Sequence, residues 1–452
     1  MENKKVSVLD MMRARDLRVE KQGKLISKYN KPLISFTMNI AGEIKNSKLI
    51  LRGFEHGIKT LKLKLEMSKI DILHEEITND FTGNEAFFVV DEDANIIKKI
   101  CIELEDYDEL SRLYDIDVID THFYKLERKH LRKCLMCDRA AKECAGRRTH
   151  SVSELVDKTN QVLNESFQKI DANYLASQAV RALLFEALAT PKVGLVDRNS
   201  SKSHSDMDIF TFVSSSVSLY NYFFEVASFG LKFKDMEHKE FFRELQKLGK
   251  RAEVTMFAAT KGVNTHKGAI FSLGLLCGAC GRVGYEKWSN FKLILKECSK
   301  IAKGIVKNEL ENKFKNSSNE VKKGTFGEKI YKKYGISGVR GQAESGYLSV
   351  LNYGMPKFKS CIKKGKSLND AGCIALLDII SATMDTNMIK RSDYESFLNE
   401  KKRLRKMLEL EPYPSMATIK ELDIEYSNRG LSPGGSADLL AMCYMLYFIS
   451  ND

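Results

Sequence analysis

The spacing of apolar and polar positions changes character once along this chain. Over the first 150 residues the pattern is mixed. Residues 32–40 (PLISFTMNI) form an apolar, β-prone run closed by the turn signal Ala41-Gly42, and they predict a strand. Residues 87–90, ahead of a polar turn at 91–95, and residues 114–119 predict two more. Ser151-Val152-Ser153-Glu154 has the Ser-x-x-Glu form of a capping box before a helical pattern, so a long helix is expected to start there. From about residue 170 apolar positions recur at helical spacing, over 172–189, 246–259, 268–278, 291–306, 369–383 and 438–448. Short turns rich in Gly, Asn, Asp, Ser and Thr separate these runs. The pattern predicts two domains, an α+β domain over 1–160 and an all-α domain over 165–452, with the boundary near 155–172.

Composition narrows the class. At 452 residues, 43% hydrophobic and 29% charged, the chain is of ordinary globular make-up rather than disordered or fibrous. The uncharged stretch over 439–450 is twelve residues long, and a bilayer span needs about 20, so it predicts a buried helix and no membrane partner. The first sixteen residues carry charges every few positions and no apolar core, which predicts no secretory signal and a cytoplasmic protein. Ten cysteines are too sparse for a disulfide scaffold and are expected to be reduced. The net charge of +12 is uneven. Residues 1–165 balance 29 basic against 29 acidic groups, whereas 166–452 hold 43 against 31. The excess is scattered lysine with no basic stripe, so nucleic acid is not expected and a small polyphosphate is.

Two clusters in the first part carry candidate chemistry. On a strand, Asp115 and Asp117 project together while Ile116 and Val118 face the core. Two carboxylates side by side suit a cation such as Mg²⁺, and neighbouring Arg112 suits a phosphate. Cys134-x2-Cys137-x6-Cys144-x5-His150 gathers four soft ligands in seventeen residues, the donor set of a tetrahedral Cys₃His zinc site.

In the second part, four turns concentrate polar groups. They are Thr190-Pro191-Lys192-Val193-Gly194-Leu195-Val196-Asp197-Arg198, running on to His204-Ser205-Asp206-Met207-Asp208, then Gly262-Val263-Asn264-Thr265-His266-Lys267-Gly268, Tyr334 to Gly341 with Glu344, and Ser432-Pro433-Gly434-Gly435-Ser436-Ala437-Asp438. Lys267 precedes a helix whose free N–H groups favour an anion. Gly365-Lys366-Ser367 is no Walker motif, because Ser360 stands where its upstream glycine belongs.

These residues carry two resemblances. Asn39-Ile40-Ala41-Gly42-Glu43-Ile44-Lys45, Thr82-Gly83, Arg112 to Val118 and Arg132-Lys133-Cys134-Leu135-x-Cys137 resemble the apo-citrate lyase phosphoribosyl-dephospho-CoA transferase family over about 5–155. That family resembles nucleotidyltransferases, which implies such a fold for the first domain. T-P-K-x-G-L-V-D-R, H-x-D-M-D, G-V-N-T-H-K-G, D-T-N at Asp385-Thr386-Asn387 and S-P-G-G-S-A-D-L-L, in that order over about 172–448, resemble the triphosphoribosyl-dephospho-CoA synthase family. Arg391-Ser392-Asp393 stands where that family often has Arg-Gly-Gly.

The resemblances imply two reactions. Triphosphoribosyl passes from ATP to the 2′-hydroxyl of 3′-dephospho-CoA with loss of adenine. Phosphoribosyl-dephospho-CoA then passes to a serine of the citrate lyase acyl carrier protein with loss of diphosphate. They also imply roles. Asp197, Asp206, Asp208, Glu344, Asp385 and Asp438 are candidates for base or Mg²⁺ ligand, and His204 and His266 for proton donation to adenine or for orienting the ligand. Lys192, Arg198, Lys267 and Arg340 are phosphate clamps, and Asn264, Gly434 and Gly435 nucleotide contacts. Asp115 and Asp117 hold metal in the second reaction, with Arg112 on phosphate. Two alternatives stand beside this reading: the same chemistry on a malonate decarboxylase carrier, and a basic RNA-binding protein.

Overall fold

A computed structural model describes residues 3–199, 206–311 and 326–451. The chain divides into two compact units, Met1–Phe167 and Gln168–Asp452.

The first unit runs α1 (Val8–Tyr29), β1 (Leu33–Met38), α2 (Lys48–Met67), β2 (Ile72–Asp80), β3 (Gly83–Val90), α3 (Ala94–Glu105), β4 (Tyr114–Ile119) and α4 (Ala141–Arg147). The strands form one sheet in the order β2-β3-β1-β4, every pair antiparallel. All three strands expected from sequence are present. β2 was not expected, because its exposed edge position leaves it polar at alternate residues.

The register explains the placement of the aspartates. Leu33 pairs with Ile119, Ser35 with Asp117 and Thr37 with Asp115. Paired residues share a face, so this face is apolar at one end, where Leu33, Phe87, Val89 and Ile119 pack on Leu25 and Ile26 of α1. At the other end it is polar, with Ser35, Thr37, Asp115 and Asp117. The opposite face carries Phe36 and Tyr114, whose rings lie 5.3 Å apart over α2. A Cβ on Gly57 of α2 would meet Phe36 at 2.4 Å, so glycine permits that approach.

Helix α5 (Val152–Leu188) starts as its capping box predicts. The Ser151 and Glu154 side chains each accept the other's backbone N–H, at 3.2 and 2.8 Å. The division between the units falls inside this helix. The second unit continues with α6 (Ile209–Ser218), α7 (Tyr220–Lys232), α8 (His238–Ala259), α9 (Lys267–Val283), α10 (Phe291–Ile301), α11 (Phe326–Tyr334), α12 (Gly338–Glu344), α13 (Met355–Lys363), α14 (Leu368–Ala382), α15 (Thr386–Arg391), α16 (Tyr394–Leu410), α17 (Met416–Asn428) and α18 (Gly434–Asn451). Among the described residues it holds no strand.

Helices α9 and α18 are the buried centre of this unit. Small residues allow α9 to lie against α7: a Cβ on Gly230 would meet the Gly278 carbonyl at 2.4 Å. The uncharged stretch at 439–450 is a core helix, as its length requires. Among the described residues no helix is long and apolar enough to cross a membrane.

Candidate active sites

Separate turns of the second unit converge on one cleft of about 360 Å³. Its walls include Glu186 and Lys192, Asp206, Asn264 to Gly268, Asn387, Lys390, Arg391, Gly434 and Asp438. Helices α9 and α18 both begin here, at Lys267 and Gly434, so two positive dipole ends favour an anion. Asn264 Oδ1 accepts the Lys267 N–H at 3.3 Å, and Lys267 Nζ pairs with Glu253 at 2.7 Å while staying half exposed. Lys267 and Gly268 also line a second, more apolar cleft of about 480 Å³, with Tyr222, Phe242 and Phe271.

His266 is a buried group of the first cleft. Thr265 Oγ1 donates to Ser215 Oγ at 2.7 Å, and Ser215 Oγ lies 2.7 Å from His266 Nδ1. With Ser215 donating to Nδ1, the ring proton sits on Nε2. Nε2 is buried and, among the described residues, has no hydrogen-bond partner. Burial pushes the imidazole pKa down to about 3, and the nearby Lys192 ammonium adds to that shift. The ring is therefore neutral at physiological pH, and in that tautomer its Nε2–H is a donor. Unfolding lets His266 bind a proton that the native chain refuses. Its contribution to stability is therefore level above about pH 6.5 and declines as pH falls toward 3. NMR of histidine-labelled protein is expected to show this ring unprotonated from pH 8 to 5. A midpoint near 6.5 would contradict the burial.

Asp438 lines the cleft at the start of α18. Burial, with Glu186 and Asp385 nearby, raises its carboxyl well above the usual range, against the pull of the Ala269 N–H. Its approach requires Gly268, where a Cβ would stand 1.9 Å from Asp438 Oδ2.

Other candidates are engaged elsewhere. Lys192 lines the cleft, but its ammonium is buried against Glu186 Oε1 at 2.7 Å and the carbonyls of Glu186 and Ala187 at 2.9 and 3.4 Å, which leaves little of it for phosphate. Asp197 accepts the backbone N–H groups of Lys192 and Asn199 and shapes its own loop. Arg198 reaches Thr190 and Asn369. Asp208 caps α6 through Thr211. Asp385 is buried and accepts from Asn387 and Met388 on one oxygen and from Ser436 N–H and Oγ on the other, bracing the Gly434-Gly435 turn. A Cβ on Gly435 would press on that carboxylate at 3.2 Å. Glu344 accepts the N–H groups of Gly304 and Val306, and Arg340 pairs with Glu309 beside the second cleft. His204 lies outside the described residues. Sequence reasoning missed Glu186, Ser215 and Lys390, and it set Arg391 aside although Arg391 lines the cleft. Glu186 carried a faint signal, a single acid on an apolar helix six residues before Lys192.

In the first unit Asp115 and Asp117 share a cleft of about 340 Å³ with Lys98, Glu105, Lys125, Arg128 and Arg132. Lys125 Nζ lies 2.6 Å from Asp117. Arg112 is not in this wall; its guanidinium holds the Cys134 carbonyl at 2.7 Å. Arg128, 3.4 Å from the buried Glu105, is a cation that the sequence did not mark. The ligand atoms of Cys134, Cys137, Cys144 and His150 all lie within 4.8 Å of one another.

Comparison with known proteins completes the picture. The profile for ATP:dephospho-CoA triphosphoribosyl transferase matches residues 172–452, and the one for apo-citrate lyase phosphoribosyl-dephospho-CoA transferase matches 6–166. Protein CitXG of Haemophilus influenzae is 32% identical over 466 residues, covering 99% of this chain and 97% of that protein. Protein CitXG of Leuconostoc mesenteroides subsp. cremoris is 33% identical over 467 residues, covering 98% and 97%. The 2-(5''-triphosphoribosyl)-3'-dephosphocoenzyme-A synthase of Haemophilus ducreyi is 33% identical over 339 residues, covering 70% of this chain and 99% of that protein. With both profiles in one polypeptide and full-length similarity to fused relatives, the chain belongs to the CitXG family, bifunctional transferases that join these two activities.

Proposed function

We propose that this chain makes the citrate lyase prosthetic group in the second unit and attaches it in the first. The observation that carries the first step is the convergence of three of the four polar turns, with Asn387 of the Asp385-Thr386-Asn387 motif, on one cleft built around two helix starts. The division of labour follows the sequence domains, 165–452 for synthesis and 1–160, read as nucleotidyltransferase-like, for attachment.

Synthesis joins the ribose 2′-oxygen of dephospho-CoA to C1′ of ATP as the C1′–N9 bond to adenine breaks. The transition state has oxocarbenium character, so it needs help on both sides. Asp438, its carboxyl held above the ordinary range, takes the proton of the attacking hydroxyl. Neutral His266, with its proton on Nε2, donates a hydrogen bond to the departing adenine. Lys267, Lys390, Arg391 and the two helix starts hold the triphosphate, with Asn264 and Gly434 against it. The clefts share Lys267 and Gly268, which supports a reading in which the two substrates lie side by side. Among the described residues no trio of carboxylate or histidine ligands gathers closely here. Asp206 suits Mg²⁺ that arrives on the triphosphate, an ion commonly held by one or two carboxylates plus phosphates. When bound, Mg²⁺ supplies charge neutralisation.

Attachment is a displacement at phosphorus by the serine hydroxyl of the citrate lyase acyl carrier protein, with diphosphate leaving. Asp115 and Asp117 suit a Mg²⁺ ion, and Lys125 and Arg128 neutralise the phosphates. Zinc suits the Cys₃His cluster. The chain works in the cytoplasm.

Incubation with ATP-Mg²⁺ and dephospho-CoA should release adenine, and addition of the apo carrier should then raise its mass by one phosphoribosyl-dephospho-CoA. Absence of free adenine would overturn the reading. Lys267→Met keeps the apolar stem and removes the charge. It should weaken ATP binding by about 1.5–3 kcal/mol, the scale of a charge-assisted hydrogen bond, with little change in the ligand-free melting temperature. Equal affinities by calorimetry would move the phosphates toward Lys390 and Arg391.

A further inference from the structure

Cys134, Cys137, Cys144 and His150 are not used by either reaction, yet the chain brings them together by specific turns. Antiparallel pairing of Lys133 with Ala140, and the 2.7 Å bond from Cys134 N–H to the Arg139 carbonyl, close a tight knuckle around Cys134 and Cys137. Within it the Met136 N–H donates to Cys134 Sγ at 3.5 Å. Cys144 comes from α4, and Arg148, at φ 45°, reverses the chain so that His150 returns to the thiols. Cys137 Sγ and Cys144 Sγ lie 3.5 Å apart as free thiols, far beyond the roughly 2.05 Å of a disulfide. His150 Nε2 is buried and, among the described residues, has no hydrogen-bond partner. Three thiols and an unpartnered imidazole nitrogen within 4.8 Å are a poor set for one another, because each is a weak or missing partner. They are a good set for a tetrahedral cation, whose ligand atoms would stand about 3.8 Å apart at ordinary Zn–S lengths.

We propose that these four residues bind a structural zinc ion that sets the position of the carrier-transfer site. The link is backbone geometry. Arg132, two residues before Cys134, donates to the carbonyls of Tyr114 and Arg112 at 2.7 Å each and of Ser111 at 3.3 Å. Arg112 in turn donates to the Cys134 carbonyl at 2.7 Å. The knuckle is thus stitched by two guanidinium groups to the entrance of β4, one residue from Asp115. Zinc pins the knuckle, the knuckle fixes the two arginines, and they hold the strand that presents the aspartate pair. The same arrangement explains why Arg112 is unavailable to phosphate. The positioning part of the inference rests on reading the first unit as the attachment site; the zinc site itself does not.

The test uses the full chain. Mass spectrometric metal analysis should find zinc at one equivalent per chain. Cobalt exchanged into the site should give the intense visible bands of a tetrahedral thiolate centre. Cys137→Ser and His150→Ala should each lose the metal, whereas Cys101→Ala, at a buried thiol on α3, should keep it. Both ligand variants should lose carrier modification at least tenfold, assayed with preformed triphosphoribosyl-dephospho-CoA, and retain adenine release. No zinc and no cobalt spectrum in the unmodified chain would overturn the site, even with both activities intact. Zinc retained in both variants would do the same. Metal loss with undiminished carrier modification would overturn the positioning role. Failure of the chemical reading would appear separately, as an unmodified chain that binds zinc and transfers nothing.

Discussion

Replacing Asp117 with asparagine should lower carrier modification by roughly 10²–10³-fold, the scale on which loss of one preorganised electrostatic contact reduces kcat. The substitution keeps the side chain's shape and removes one of the two charges that a metal ion would see. Asp117 and Asp115 sit on the polar end of their sheet face, opposite Ser35 and Thr37, so neither supports the hydrophobic core. Asp117 also pairs with Lys125, but that lysine is largely exposed and its loss should cost little stability. Adenine release should be unchanged, because every group assigned to that step belongs to the second unit. The measurement is the carrier's mass shift over time with preformed triphosphoribosyl-dephospho-CoA. Near-normal transfer in both Asp117→Asn and Asp115→Asn would show that the pair is an ordinary polar strand face.

The second large effect is expected at His266. His266→Asn places an amide near Nδ1 and removes the donor at Nε2, so adenine release should fall by about 10²–10³-fold, the scale of losing one positioned hydrogen-bond donor. His266→Gln returns an N–H to the Nε2 position and should recover part of the rate. Carrier modification with preformed donor should stay level in both variants. Parallel loss in the two, together with a lowered melting temperature, would instead mark His266 as a packing residue. The T-shaped contact with Phe212, at 5.1 Å between ring centroids, makes that comparison necessary.

Local patterns were legible wherever physics acts within a few residues. Alternation along 114–119 placed Asp115 and Asp117 on one face, and the observed register bears this out. Ser151 and Glu154 announced a helix start, and the uncharged run at 439–450 announced a buried helix, because capping and burial depend on neighbouring positions. The signature turns marked the stretches that wall the main cleft.

Which side chain within each turn faces the cleft was decided only by tertiary structure. A carboxylate in a turn reads the same whether its oxygens accept backbone N–H groups or await a ligand. Asp385 is spent on Ser436, 51 positions away, and Glu344 on Gly304, 40 positions away. Arg112 is spent on the Cys134 carbonyl and Lys192 on Glu186. Conversely, Ser215 on an unremarked helix became the partner of His266 Nδ1, through a contact 51 positions long. Propensity and capping are properties of a segment and can be read from it. The occupancy of a lone pair or an N–H belongs to whichever distant group packing delivers, and that is settled only when the chain has folded.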